Sequence, residues 1–146
     1  MERIEIYMRI LMIVTWYSAN INDKFTGNCH TDVAKELAKN NEVAIYFPFD
    51  ASIEDQFKYG IEDGVLVFRG KFTQGTIHKL IKVKRDFEKI REIFSPDIIH
   101  AHVGMQAGEI AMFIKKLYNI PYILTEHAPI EMMDFHIRSK IKYNFI

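Results

Sequence analysis

The sequence is poor in cysteine and has no excess of either charge. Its one cysteine, Cys29, cannot form a disulfide within the chain, which indicates a reducing compartment such as the cytoplasm. Lysine plus arginine and aspartate plus glutamate both number 19, so the overall charge offers nothing to attract nucleic acid. The apolar run from Ile10 to Val14 is too short to cross a bilayer. We therefore expect a cytoplasmic domain without a nucleic-acid partner.

The chain does contain enough apolar residues for a core. It has 146 residues, 49% of them hydrophobic, which predicts one domain over residues 1–146 with a short leader at 1–7. Short apolar runs alternate with segments of helical periodicity. This order predicts an α/β, Rossmann-like three-layer domain with an open parallel sheet. Strands are expected at Met8–Thr15, Glu42–Phe49, Gly64–Gly70, Asp97–His102 and Pro121–His127, and helices at Cys29–Asn41, Thr76–Phe94 and Gly108–Asn119.

Two further segments are less regular. Residues between Asp50 and Gly64 show no clear period, whereas the tail from Glu131 to Ile146 is expected to be helical. The helix from Thr76 to Phe94 carries an apolar stripe that should face the sheet. The stripe consists of Ile77, Leu80, Ile81, Phe87, Ile90 and Phe94.

Three loops are expected to meet at one edge of the sheet. In open parallel sheets ligands bind outside the carboxyl ends of the strands. That rule places Trp16–Asn28, His102–Met105 and His127–Pro129 on the same rim.

His100 and His102 are two residues apart on a predicted strand and should share one face. Such a pair can contribute two zinc ligands, with a third drawn from His127, His136 or Glu126, but no spacing imposes that set. The alternative is that His100 is a hydrogen-bonded structural residue and that His102, at the end of the strand, faces a ligand. We expect the second arrangement, and no metal.

His127 closes the last predicted strand, in the segment "TEHAP". There it could donate a hydrogen bond to a sugar hydroxyl or to charge developing near a leaving group, or it could cap the next helix. Thr125 should share its face and Glu126 the opposite one.

Gly27 and Asn28 precede the first helix, whose free amide groups would attract a phosphate. The loop has neither G-x-G-x-x-G nor the Gly-Lys-Ser/Thr of a P-loop. A glycine that allows the turn into the helix is the simpler interpretation of this loop alone.

The helix from Thr76 onward is rich in basic residues. They can form a solvated face or contact anionic lipid at the inner membrane surface, and the sequence leaves both interpretations open.

Taken in order, "MRILMIVTWY", the glycine before "VAKELAKNNEVAIY", "SPDIIHAHVG" and "IPYILTEHAP" resemble the amino-terminal domain of family-four retaining glycosyltransferases. The resemblance implies the N-terminal half of a GT-B fold, which shapes the acceptor site. It also implies that Gly27 and Asn28 approach the donor diphosphate, that His127 lies near the transferred sugar, and that His102 faces the cleft. Thr125 and Glu126 would then contact substrate. The implied partners are a nucleotide sugar as co-substrate and a carbohydrate, lipid-linked or small-molecule acceptor, without a metal cofactor.

The resemblance also implies a second domain that carries the nucleotide sugar and a Glu-x7-Glu motif, and these 146 residues contain neither. We therefore expect the chain by itself to lack transferase activity. A stand-alone sugar-binding or assembly module is the alternative. It would self-associate through apolar residues of the tail, namely Met132, Met133, Phe135 and Ile137.

Overall fold

The computed structural model of the protein describes residues 7–17 and 28–127. Within them strands and helices alternate as the sequence predicts, apart from one additional strand. The strands are β1 (Arg9–Ile13), β2 (Glu42–Asp50), β3 (Phe57–Glu62), β4 (Val65–Lys71), β5 (Ile98–His102) and β6 (Tyr122–Thr125), and the helices are α1 (Asn28–Leu37), α2 (Thr76–Ile93) and α3 (Glu109–Tyr118).

The six strands form one sheet in the order β3-β4-β2-β1-β5-β6. All neighbouring strands run parallel except β3 and β4, which are antiparallel. Strand β1 lies between β2 and β5, so that Met12 is opposite Ile45 on one side and His100 on the other. The predicted open, mostly parallel sheet is confirmed.

The helices cover both faces of this sheet. Side chains of a strand alternate between the faces, so β1 contributes Leu11 and Ile13 to one core and Ile10 and Met12 to the other. The first core also contains residues of α2 and α3, and the second contains Ala34 of α1. The domain is therefore a three-layer α/β structure, as predicted.

Strand β3 is the main difference from the predicted elements. It pairs with β4 across a two-residue turn formed by Asp63 and Gly64, whose φ angles of 49° and 78° are both left-handed. An Asp-Gly dipeptide in this conformation is the usual connection of a tight hairpin. The segment between Asp50 and Gly64, expected to be irregular, thus supplies an antiparallel edge strand.

The prediction that the apolar stripe of α2 faces the sheet is partly wrong. Ile77 and Ile81 are 72% and 53% exposed, whereas Lys82 and Asp86 are buried. Asp86 Oδ2 accepts a hydrogen bond of 2.7 Å from the hydroxyl of Tyr46 on β2. Because this polar contact faces the sheet, the helix is rotated away from the orientation that apolar periodicity alone predicts.

A second buried polar group, here called the arginine cluster, consists of Arg69, Asp50 and Glu62. Arg69 is 2% exposed; its Nη1 donates to Asp50 Oδ2 at 2.7 Å, and its Nε and Nη2 donate to the Glu62 carboxylate at 3.0 Å each. Asp50 also accepts hydrogen bonds from the backbone amide and the hydroxyl of Ser52. The cluster joins the ends of β2, β3 and β4.

Several predictions concern residues outside the described ranges. These are the first six residues of the leader, Gly27, His136, and the tail with its apolar residues Met132, Met133, Phe135 and Ile137. Among the residues that are described, no helix combines the length and apolar character needed to cross a membrane.

Candidate functional site

At the carboxyl ends of the neighbouring strands β1 and β5, the connections to the next strands lead to opposite sides of the sheet. The chain passes from β1 to β2 on one side, whereas from β5 it passes to β6 on the other. In open α/β sheets a crevice opens at such a point and serves as the usual ligand site. Here Thr15 and Trp16 follow β1, and His102 ends β5. The hydroxyl of Thr15 lies 3.4 Å from the carbonyl oxygens of both His102 and Met105 and can donate its one proton to either, which links the segments that follow β1 and β5.

Four histidines meet at this crevice and are here called the histidine cluster: His30, His100, His102 and His127. On β5, Ile99 and Ala101 point into the core beneath α2 and α3. His100 and His102 therefore project from the opposite face, where α1 lies, and their ring centroids are 4.2 Å apart. The predicted shared face of these two histidines is confirmed.

Hydrogen bonds tie β5 to β6 within the cluster. His102 Nδ1 lies 2.9 Å from His127 Nε2, and the two rings stack with their centroids 5.2 Å apart. His100 Nε2 lies 2.8 Å from the hydroxyl of Thr125. The structure thus brings together His102, His127 and Thr125, and it gives His100 the hydrogen-bonded position expected of a structural residue.

His30 is the member that the sequence did not reveal. It lies in the first turn of α1, fully buried, with its ring centroid 4.8 Å from that of His102 and 5.5 Å from that of His127. Trp16 packs against it at 5.4 Å between centroids. The available signal was its position: a histidine just after the β1 loop, in the helix that starts at the same rim.

Three ring nitrogens of the cluster are buried without a hydrogen-bond partner among the described residues. They are both nitrogens of His30 and Nε2 of His102. Burying a polar atom without a partner costs about 1–3 kcal/mol, and native structures contain few such atoms. These nitrogens therefore need a partner from outside the described residues, which water or a ligand can supply.

Burial and mutual repulsion keep the inner rings neutral. Desolvation, followed by the positive charge that neighbouring histidines would carry, lowers the pKa of His30 to about 4 and that of His102 to about 3. The pKa of His100 is also lowered, by desolvation and then by His127. At neutral pH the rings of His30 and His102 are consequently neutral, each with one protonated nitrogen and one lone pair.

The loop after β5 holds an unusual backbone shape. Val103 and Gln106 have φ angles of 77° and 64°, which are strained for residues with a side chain and rare for a β-branched one. The carboxylate of Glu126 fixes this loop by accepting a hydrogen bond from the amide of Gly104. A Cβ atom at Gly104 would lie 2.5 Å from Glu126 Oε1, so a side chain at this position would displace the end of the Glu126 side chain. Glu126, which the sequence predicts to contact substrate, therefore contacts this loop. Asn28, which the sequence predicts to approach a phosphate, is the first residue of α1.

A cavity of about 290 Å³ opens on the same rim, beside the ends of β2 and β4. Its walls combine two aromatic rings, Phe49 and Phe72, with the polar side chains of Lys79 and Gln106. Gln106 belongs to the strained loop after β5, so this loop forms part of the cavity wall.

Metal-ligating geometry is present within the histidine cluster. His30, His102 and His127 each offer one ring nitrogen, and these three nitrogens all lie within 4.8 Å of one another. His102 and His127 were among the candidate metal ligands that the sequence suggested. The third residue of the group is His30, which the sequence did not suggest, and not Glu126 or His136.

No protein-family model matches the chain, and no curated protein matches its sequence. Among solved structures, the fold is similar to part of sucrose-phosphate synthase from Thermosynechococcus elongatus, a GT-B glycosyltransferase, with a TM-score of 0.56 and 12% sequence identity. The likeness covers 90% of this chain and 36% of the synthase, so the chain spans about a third of that protein's length. At such low identity the likeness establishes a shared fold and nothing about activity.

A second similar structure is a triple mutant of a deacetylase involved in teicoplanin biosynthesis. It has 17% identity and a TM-score of 0.48, over 92% of this chain and 68% of that one. Together with the observed sheet, the first likeness confirms the predicted fold class, a Rossmann-like α/β domain of the kind found in GT-B enzymes.

Proposed function

We propose that this chain is the acceptor-side domain of a glycosyltransferase that moves a sugar from a nucleotide sugar to a carbohydrate, lipid-linked or small-molecule acceptor with retention of configuration. The observation that carries the proposal is the position of His102 and His127 at the crevice between β1 and β5, in a fold shared with a GT-B enzyme. The sequence resemblance to family-four transferases supports the same assignment. The nature of the acceptor follows from neither.

The chemistry of sugar transfer suits the contents of this rim. As the bond from the anomeric carbon to the leaving phosphate breaks, positive charge develops on the sugar ring and negative charge on the phosphate. A hydrogen-bond donor fixed beside the reacting sugar can orient its hydroxyls and stabilise that state. His127 is exposed on one side and held from behind by His102, so its ring is both accessible and oriented.

The neighbouring cavity has the character of an acceptor site. Aromatic rings such as Phe49 and Phe72 pack against the apolar faces of sugars, and Lys79 and Gln106 offer groups that hydrogen-bond hydroxyls. The cavity and the histidines lie on one rim, where a donor and an acceptor would meet. Asn28, the first residue of α1, and Gly27 before it in the sequence would approach the donor diphosphate in this arrangement.

A single open domain cannot exclude water from the reacting sugar. We therefore expect nucleotide sugars and acceptors to bind the 146-residue chain weakly and without turnover. Catalysis would require a second domain that closes the crevice and holds the nucleotide.

Histidine ring signals in NMR spectra give a direct test. The chain is first treated with EDTA and then titrated with a panel of nucleotide sugars and of mono- and disaccharides. We expect a saturable shift of the His102 and His127 signals for at least one member. The signals of His78, which lies on α2 and is exposed, should stay in place.

His127→Ala should weaken that binding, and His78→Ala serves as its matched control. If no sugar or nucleotide sugar moves the cluster signals, the assignment is wrong. Turnover by the chain alone would contradict the part of the proposal that requires a second domain.

A further inference from the structure

We propose that His30, His102 and His127 form a binding site for a divalent transition-metal ion, with zinc as the best fit. The proposal goes beyond the sugar-transfer function and does not rest on it. Metal binding is measured without any sugar, and sugar binding is measured after EDTA treatment, so either can fail while the other holds.

The positions of the three rings are close to those of a coordination sphere. Zinc holds imidazole nitrogens at about 2.0–2.1 Å in a tetrahedral arrangement, which separates two nitrogens on one ion by about 3.4 Å. The three candidate nitrogens lie within 4.8 Å of one another. A hydrogen bond of 2.9 Å between His102 Nδ1 and His127 Nε2 holds these two rings side by side, and one of them must turn its lone pair toward the ion for both to bind it.

The hydrogen bonding of the cluster leaves lone pairs available. Both ring nitrogens of His30 and Nε2 of His102 are buried without a partner. A purely structural core histidine would instead be paired, as His100 is with Thr125. A bound ion would satisfy one nitrogen of His30 and Nε2 of His102, because it takes the place of a missing hydrogen-bond donor; the second nitrogen of His30 keeps its proton.

The type of ion follows from the type of ligand. Three imidazoles without a carboxylate favour zinc and its transition-metal neighbours over magnesium or calcium, which prefer oxygen. Three protein ligands also leave a fourth position open. His127 is the exposed member, so the open position would face the crevice, where water or an oxygen atom of a ligand can reach it.

Cobalt is the first probe, because Co²⁺ replaces zinc and its visible absorption reports coordination geometry. The 146-residue chain is prepared without a histidine tag, stripped with EDTA and titrated with Co²⁺ followed by Zn²⁺. We expect the intense visible bands of a four-coordinate Co²⁺ site, saturation at one ion per chain, and complete displacement by Zn²⁺.

Substitutions identify the ligands. His30→Ala and His102→Ala should each weaken Zn²⁺ binding by at least ~100-fold, since even the loss of a residue behind a metal ligand costs about 10–100-fold. His78→Ala should bind zinc as tightly as the unsubstituted chain. Circular dichroism shows whether each variant is folded.

A measurement on the unsubstituted chain tests the proposal even if the variants fail to fold. On addition of Zn²⁺ the ring nitrogen signals of His30, His102 and His127 should shift together in NMR spectra, with that of His78 unchanged. The proposal is overturned if Co²⁺ shows only the weak bands of a hydrated ion. It is equally overturned if the three rings do not respond, or if His30→Ala binds zinc as tightly as the unsubstituted chain.

Discussion

Two buried polar clusters lie near the carboxyl ends of the strands, and they differ in how completely they are paired. In the arginine cluster, Arg69 meets the carboxylates of both Asp50 and Glu62, and none of its buried atoms lacks a partner among the described residues. In the histidine cluster, three buried ring nitrogens have none. The inner side chains of both clusters, Arg69 and Asp50 in one and His30 and His102 in the other, are almost fully buried, so burial alone does not distinguish them.

The difference separates a structural group from a candidate binding group. A paired ionic cluster specifies one geometry and has no remaining donor or acceptor to offer a ligand. Asp50 illustrates this, because an acid at the end of the second strand could hold a ribose in a nucleotide-binding domain. Here the carboxylate is already engaged by Arg69 and Ser52.

The largest expected effect comes from opening the paired cluster. Arg69→Met would leave the buried carboxylate of Asp50 without its cation, and breaking a buried pair from one side costs about 3–5 kcal/mol. The free energy of unfolding, measured with urea, should fall by that amount. The control is Arg9→Met, which breaks the exposed pair with Asp97 and should cost at most about 1 kcal/mol. Equal losses in the two variants would contradict the structural role of the arginine cluster.

The same kind of substitution in the histidine cluster should have the opposite sign. His30→Leu removes two buried nitrogens without partners, and relieving such an atom returns about 1–3 kcal/mol. In metal-free buffer this variant should therefore be at least as stable as the unsubstituted chain. A loss of stability well beyond 1 kcal/mol would mean that the nitrogens of His30 are paired in solution.

The smallest effect is a pH dependence of the arginine cluster. Burial alone would raise the pKa of Asp50, but hydrogen bonds from Ser52 and Arg69 outweigh it and lower that pKa. A lowered carboxyl pKa stabilises the fold above the ordinary value of about 3.9, and the contribution is lost as the pH falls through the folded value.

The difference in unfolding free energy between the unsubstituted chain and Asp50→Asn isolates this contribution from other titrating groups. It should be largest near about pH 6 and shrink toward about pH 3. A difference that grows on acidification would reverse the predicted direction of the pKa shift.

Most of the fold was predictable because buried strands and amphipathic helices leave strong periodic signals. Strand β3 was missed although Phe57–Glu62 alternates apolar and polar residues and Asp63-Gly64 is a typical hairpin signal. None of its residues is fully buried, so it lacks the continuous apolar run that marks the inner strands. The orientation of α2 could not be predicted, since it depends on Lys82 and Asp86 being buried against β2 through tertiary contacts.

The histidine pair at the rim was predictable from topology. Two residues apart on a strand, His100 and His102 had to share a face, and the parallel sheet put the end of β6 beside them. His30 was not predictable in the same way, because the rotation of α1 on the sheet decides whether its ring points inward. Likewise, the hydrogen bond from the Gly104 amide to Glu126 depends on the strained loop shape, which no local pattern signals.

The histidine cluster also has a consequence for folding kinetics. Its members come from α1, β5 and the residues after β6, so they assemble only after strands distant in sequence have joined. A ligand that bridges all three would act as a reversible cross-link, formed after the main folding barrier. Such a link slows unfolding far more than it speeds folding. The chain's lifetime in the native state, more than its rate of folding, would then depend on what occupies the crevice.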